Sequence, residues 1–244
     1  MKIAVIGTGL IGSQVVRDLL AAGHDAVGHS RATGIDLLTG TGLDDAVRGA
    51  DVVVDVSNSP TFDDASLDFF RTSVTNLVSS ARAAGVRHLV ALSIVGVDQV
   101  PDLAYYRAKT LQEDLVKASS LPFSIVRATQ FMEFVPATLD WTTDGDVVRL
   151  PSTPIQPISS AEVAAAVAEV AVGSPLGGVR EIAGPEVFRL DELGRITVEI
   201  TGDHRRVVTD ETAGLFAAVK GDVLTAPAGA HLAATRYRDW LRSA

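Results

Sequence analysis

Three side chains stand at spacings that suit proton transfer to a carbonyl oxygen: Ser93, Tyr105 and Lys109. Ser93 ends the apolar run Leu89-Val90-Ala91-Leu92. Tyr105 and Lys109 are four apart inside a helical pattern, which puts both on one face. A free phenol, with a pKa of about 10, is a weak acid–base group at neutral pH, and a nearby ammonium favours its ionised form. In such a set Tyr105 supplies a proton, Lys109 tunes it, and Ser93 steadies the oxygen. The competing reading is structural, with Tyr105 as amphipathic filler and Lys109 as a solvated charge. Tyr106 is a second phenol, three residues before Lys109 and better suited to packing or to lining a pocket.

A second group of residues suits an anion. Gly7-Thr8-Gly9-Leu10-Ile11-Gly12 follows an apolar strand and opens a helix. In a G-x-G-x-x-G of this context the first glycine permits the tight turn and the second lets backbone approach a pyrophosphate. The third lets helix and strand pack closely, and the helix amino terminus favours the negative charge. The pattern predicts a dinucleotide site. The next strand ends in Val27-Gly28-His29-Ser30-Arg31, without the carboxylate that would accept a hydrogen bond from an NAD ribose. Ser30 and Arg31 could instead hold a 2′-phosphate, which favours NADP(H) over NAD(H). The alternative for Arg31 is a solvated loop charge. Asp36 falls further along, toward the adenine-side loop.

The elements that must position these residues alternate along the first part of the chain. Apolar runs at Ile3–Ile6, Ala26–Val27, Val52–Val56, His88–Leu92 and Phe123–Val126 read as strands covered on both faces. Between them Ile11–Ala22, Phe62–Ala84 and Leu103–Ser119 carry helical spacing. The alternation predicts right-handed βαβ units and a doubly wound α/β sheet of Rossmann type. Beyond Arg127 the rhythm breaks at Pro136, Gly145, Pro151, Pro154 and Pro157. Later segments read as helix at Ser160–Val172, with Ser160 as N-cap, strand at Val179–Ile182, helix at Asp191–Ile200, strand at Arg206–Val208 and helix at Glu211–Val219. The expected organisation is a dinucleotide-binding part over 1–150 and a smaller, structurally continuous substrate region over 151–244. Phe131, Met132, Phe134, Trp141 and Leu150 read equally as an apolar pocket or as ordinary core.

Composition narrows the partners. The 244 residues are 47% hydrophobic and 21% charged, with a net charge of −9, so a nucleic-acid partner is not expected. Cysteine is absent, which excludes disulfides and thiolate chemistry. The five histidines lack metal-ligand spacing, and no metal is expected. No apolar stretch approaches the roughly 18 residues of a membrane span, nor does the start read as a signal peptide. The reading is a soluble, cytoplasmic protein acting on a small molecule, with a homodimer left open.

These stretches together resemble the short-chain dehydrogenase/reductase superfamily, in its atypical, NmrA-like NAD(P)-binding group. The resemblance is carried by Gly7–Gly12, Asp51–Ser57, Leu89–Asp98, Tyr105–Gln112, Ser124–Phe134 and Pro157–Ala168. It implies a Rossmann domain with NADP(H) in a cleft. By position it implies that Gly7, Gly9 and Gly12 contact the pyrophosphate and that Ser30 with Arg31 contacts the 2′-phosphate. Ser57 and Lys109 would then lie near the cofactor ribose, and Thr129, Gln130 and Phe131 beside the nicotinamide. The implied activity is NADPH-dependent reduction of a small carbonyl, quinone-like or imine compound. A non-catalytic sensor of the cofactor's redox state is the alternative within the same group, and a nucleotide-sugar epimerase or dehydratase ranks third.

Overall fold

The computed structural model describes residues 1–243. Strand and helix alternate from the amino terminus: β1 (Lys2–Ile6), α1 (Leu10–Ala21), β2 (Asp25–His29), α2 (Leu43–Val47), β3 (Val52–Asp55) and α3 (Ala65–Ala83). Then come β4 (His88–Ile94), α4 (Ala104–Lys117) and β5 (Phe123–Ala128). Shorter elements follow: α5 (Phe134–Trp141), β6 (Thr143–Asp144), β7 (Val147–Leu150), β8 (Pro154–Ile155), α6 (Ser160–Val172) and β9 (Gly178–Ala183). The last are β10 (Phe188–Arg189), α7 (Leu190–Thr201), β11 (Arg206–Thr209), β12 (His231–Leu232) and α8 (Tyr237–Ser243).

Packing divides these elements into two units that do not follow a single cut near residue 150. Residues Met1–Arg127 and Val163–Arg180 form the first, and Ala128–Glu162 with the chain from Glu181 onward forms the second. Most of α6 and the start of β9 pack with the first unit, so the chain crosses between units three times.

In the first unit β1 lies between β2 and β3 and runs parallel to both. Ile3 stands beside Ala26 on one side and Val52 on the other. β3 pairs in parallel with β4, Val53 beside Leu89, and the order continues through β5 to β9. This is a doubly wound α/β sheet of Rossmann type. The crossover from β2 to the far side of β1 makes the gap between β1 and β3 the switch point, where the carboxyl ends of such sheets receive ligands. All four residues of β3 are buried, and so are four of the five in β1, which explains runs of Val and Ile without alternation. Phe70, Val74, Leu77 and Ala81 of α3 pack into the same core as Leu89 of β4 and Ile125 of β5. Full burial of each large side chain contributes about 1.5–3 kcal/mol.

The second unit holds a three-stranded sheet in the order β11-β7-β6 and the antiparallel pair β10-β8. Its core joins Met132, Leu139, Leu150, Leu193, Ile196 and Tyr237. The last residues of β9 pair in parallel with β12, His231 beside Ile182.

Three sequence expectations shift. The helix expected from Phe62 begins at Ala65, leaving Phe62 exposed in the preceding loop. Ser159, not Ser160, caps α6: its hydroxyl accepts from the Glu162 amide at 3.4 Å and donates to the Glu162 carboxylate at 2.8 Å. Ser160 is the first helical residue, its amide and hydroxyl both donating to Glu133. The helix expected at Glu211–Val219 is a turn followed by a short 3-10 segment, Leu215–Ala218. Asp210 accepts from both the amide and the hydroxyl of Thr212, and Gly214 takes a φ of +69°, so local bonding ends any helix there.

Candidate active site

The glycine loop leaves β1 at the switch point. The Gly7 amide donates to the His29 carbonyl at 2.8 Å, tying the turn to the end of β2. Gly7 has a φ of +99°, and a Cβ there would stand 2.9 Å from the Val56 carbonyl oxygen. At Gly12 an added Cβ would come within 1.8 Å of the Gly7 oxygen, so only glycine lets α1 sit this close to the loop. Gly9 differs, because a Cβ there meets nothing within 4 Å. Gly9 is the N-cap of α1 without a side-chain cap, and the first turn has no acidic residue. The opening amides of α1 are therefore left for an anion, beside a glycine that keeps the approach open. The loop fits a pyrophosphate. Thr8, Gly9 and Leu10 are exposed, whereas Ile11 and Gly12 are buried, so Ile11 offers backbone only.

Beyond β2, Ser30 opens a short 3-10 turn over Arg31–Thr33, its amide donating to the Thr33 hydroxyl at 2.8 Å. Arg31 is exposed. Asp36 folds the following loop, accepting from the amides of Leu38 and Thr39.

Tyr105 and Lys109 leave α4 toward the end of β3, but their polar atoms go to different partners. The Tyr105 hydroxyl donates to the Asn58 side-chain oxygen, on the loop after β3. Its ring packs edge-on against Phe62 at 4.9 Å and lies 6.3 Å from Phe70. Burial pushes the phenol up, the neighbouring Tyr106 adds to this, and the Asn58 hydrogen bond opposes it. At rest Tyr105 is a neutral acid holding its proton. The largest influence on the phenol in this structure is burial.

Lys109 is 5% exposed, and its amine donates to the Leu92 carbonyl at 2.7 Å and to the Gln112 side-chain oxygen. Burial lowers its pKa to about 8, against the attraction of Asp55 and Glu113. Gln112 in turn donates to Asp55 at 2.8 Å, and Asp55 accepts from the amide and hydroxyl of Ser57. Ser57, Asp55, Gln112 and Lys109 thus form one connected network. Asn58, Asp55 and Gln112 were not singled out from the sequence. The available signal was a carboxylate ending the otherwise apolar strand Val52–Asp55.

Ser93 follows Leu92, whose carbonyl accepts from Lys109. It is 4% exposed, its hydroxyl is enclosed, and it faces the Glu113 carboxylate without forming a regular hydrogen bond. None of Ser93, Tyr105 and Lys109 is hydrogen-bonded to another. Burial works against the Glu113 carboxylate, but Arg127, Ser93 and Lys117 outweigh it and hold the group below its usual range. Arg127 reaches Glu113 at 2.7 Å and Asp98 at 3.1 Å.

Thr129, Gln130 and Phe131 belong to the second unit. The Thr129 amide donates to the Ile182 carbonyl at 3.1 Å, and the Thr129 hydroxyl is buried without a partner. Gln130 and Met132 bracket a bridge between Phe131 and Ile158. The five apolar residues read as pocket or core divide. Met132 and Leu150 are core at 0% exposure, Phe131 stacks on an exposed Phe134, and Trp141 is 68% exposed.

Residues 7–172 match the model of a protein family described as NAD(P)H-binding. The chain belongs to that family. It is 31% identical over 205 residues to a (4-alkanoyl-5-oxo-2,5-dihydrofuran-3-yl)methyl phosphate reductase of Streptomyces griseus, covering 76% of this chain and 68% of that one. It is 22% identical to the photosystem II assembly factor Ycf39 of Synechocystis, over 85% of this chain and 70% of the relative. Its fold matches an NADPH-dependent quinone oxidoreductase of Escherichia coli, solved with NADPH, at a TM-score of 0.68 and 22% identity, covering 85% of this chain and 77% of that one. The chain is an NAD(P)H-dependent reductase of that NAD(P)H-binding family. Among the described residues no helix is long and apolar enough to cross a membrane.

Proposed function

We propose that this reductase uses NADPH to reduce a small carbonyl, quinone-like or imine compound, with Tyr105 as the proton donor. The observation that carries this reading is the neutral, half-buried phenol held by Asn58 at the carboxyl end of β3, one helical turn from a buried amine. The bound cofactor supplies hydride. The α1 amides and Gly9 receive its pyrophosphate, and the exposed Arg31 with Ser30 receives the 2′-phosphate. Lys109 holds the nicotinamide ribose. As the substrate oxygen or nitrogen gains charge, Tyr105 exchanges its bond to Asn58 for one to that atom and passes its proton. The reading from sequence gave Ser93 the contact that steadies the reacting oxygen. Its enclosed hydroxyl and its position against Glu113 favour a supporting role under α4 instead.

The test is NADPH oxidation against a panel of quinones, aldehydes and imines. Tyr105→Phe is expected to lower kcat by about 10²–10⁴-fold, the range of one acid–base group, while NADPH affinity stays nearly constant. Turnover unchanged in that variant removes the tyrosine from the mechanism. If no acceptor is reduced but NADP⁺ and NADPH bind with different affinities, the chain reads the cofactor's state instead of using it. Arg31→Ala is expected to weaken NADPH by roughly tenfold or more and to leave NADH unchanged, as loss of one charged phosphate contact predicts. Equal losses by titration calorimetry mean that Arg31 does not read the phosphate.

A further inference from the structure

A buried ammonium must have its N–H bonds accounted for. Lys109 gives one to the Leu92 carbonyl of β4 and one to the side-chain oxygen of Gln112, three residues on along α4. Its charge also lies 4.9 Å from the centre of the Phe70 ring of α3. Two fixed bonds on a tetrahedral nitrogen determine where the third points.

Gln112 is itself 1% exposed, and its amide has two ends with opposite character. The nitrogen donates to Asp55 Oδ2 at 2.8 Å. The other oxygen of Asp55 accepts from the Ser57 amide at 3.0 Å and the Ser57 hydroxyl at 2.6 Å. A carboxylate only accepts, so Asp55 takes the amide nitrogen and leaves the amide oxygen for the amine. Were the amide reversed, its NH₂ would face the ammonium and its oxygen the carboxylate, two repulsive contacts inside the core.

We propose that Gln112, oriented by Asp55, is the positioning residue for Lys109, fixing the amine so that its third N–H is presented to the ribose of the cofactor. The proposal rests on the reading above for the ribose and on the geometry alone for the amine. The groups facing that amine are the Asp55 carboxylate from β3, the Glu113 carboxylate from its own helix, the Leu92 carbonyl from β4 and the Phe70 ring from α3. Beside these, Gln112 contacts the nitrogen through its side-chain oxygen and is itself directed by a second residue, Asp55.

The chain has four lysines, Lys2, Lys109, Lys117 and Lys220, so labelling lysine Cε with carbon-13 gives four resonances, and Lys109→Met assigns the relevant one. In the full-length protein that resonance is expected to titrate near pH 8. Gln112→Leu removes an acceptor and is expected to move the midpoint down by about one pH unit, whereas the near-isosteric Gln112→Glu adds negative charge and moves it up. Opposite signs cannot come from loosened packing. Midpoints that stay in place, or move the same way in both folded variants, overturn the positioning role. NADPH affinity at pH 7 separates this from the functional reading. Lys109→Met and Gln112→Leu should both weaken it, by roughly tenfold for loss of one held contact. Unchanged affinity in Lys109→Met overturns the ribose assignment, while the resonances still decide whether Gln112 holds the amine.

Discussion

At the scale of single residues, the site stores its two chemical groups in opposite ways. Tyr105 is kept protonated by burial, and Lys109 is pushed toward neutrality by the same cause. The second effect has a consequence with pH. Once folded, Lys109 loses its proton near pH 8, whereas in the unfolded chain it keeps it to about 10.5. Between those values the unfolded state binds more protons, so folding stability is expected to rise with pH. Below about pH 8 both states carry the charge and the folded one bears the full cost of burying it. Cofactor affinity should run the other way, falling as pH rises through 8 and the ammonium is lost. Denaturant melts and NADPH titrations over that window check both slopes, and in Lys109→Met both should flatten.

At the scale of elements, two glycines of one loop separate fold from function. Gly12→Ala places a methyl 1.8 Å from a backbone oxygen, and overpacking of this kind costs about 1–3 kcal/mol or more. Gly9→Ala meets open space, so its stability should change by no more than about 1 kcal/mol, the scale of an N-cap exchange. Its methyl nonetheless stands where the anion must approach, and NADPH affinity should fall. Urea denaturation beside cofactor titration distinguishes the two variants. α4 offers a third case. The Glu113 carboxylate is 1% exposed and held by Arg127 from β5. Arg127→Ala leaves that charge short of its main partner, with an expected loss of about 3–5 kcal/mol. Glu113's share of stability is present above the ordinary carboxylate range and is lost as pH falls through its lowered folded value.

The same elements show what could be read from the chain alone. β1, β3, β4 and α1 were legible because a sheet covered on both faces leaves unbroken runs of Val and Ile, and because Gly7, Gly9 and Gly12 have few other reasons to stand together. Short strands such as β8 and β10, two residues each, leave no periodicity and were not seen. The partners of Tyr105 and of the Lys109 network were hidden for another reason. Asn58 meets Tyr105 across 47 positions and Asp55 meets Gln112 across 57. Spacing reports neighbours on one helix and is silent on which polar residue a neighbouring strand brings opposite. Ser93 shows the same limit from the other side: its place near a strand end was legible, but that its side chain faces Glu113 was not.

For the whole molecule, the order of crossings governs what can stand alone. A fragment of residues 1–150 lacks α6, whose Val163, Ala164, Val167 and Ala171 are buried, and lacks β9. Such a fragment is expected to be aggregation-prone or only partly folded, measured by gel filtration and near-ultraviolet circular dichroism. A sharp, cooperative melt from it would contradict the interleaved packing. The three passages of the backbone also constrain how this protein could be re-engineered. Because the second unit is spliced into the first at two separate places, recombination cannot transplant it from a homologue as a single cassette. Two inserts, 128–162 and the segment from 181, have to be exchanged together, so new selectivity is reached more readily by point substitutions than by module swapping.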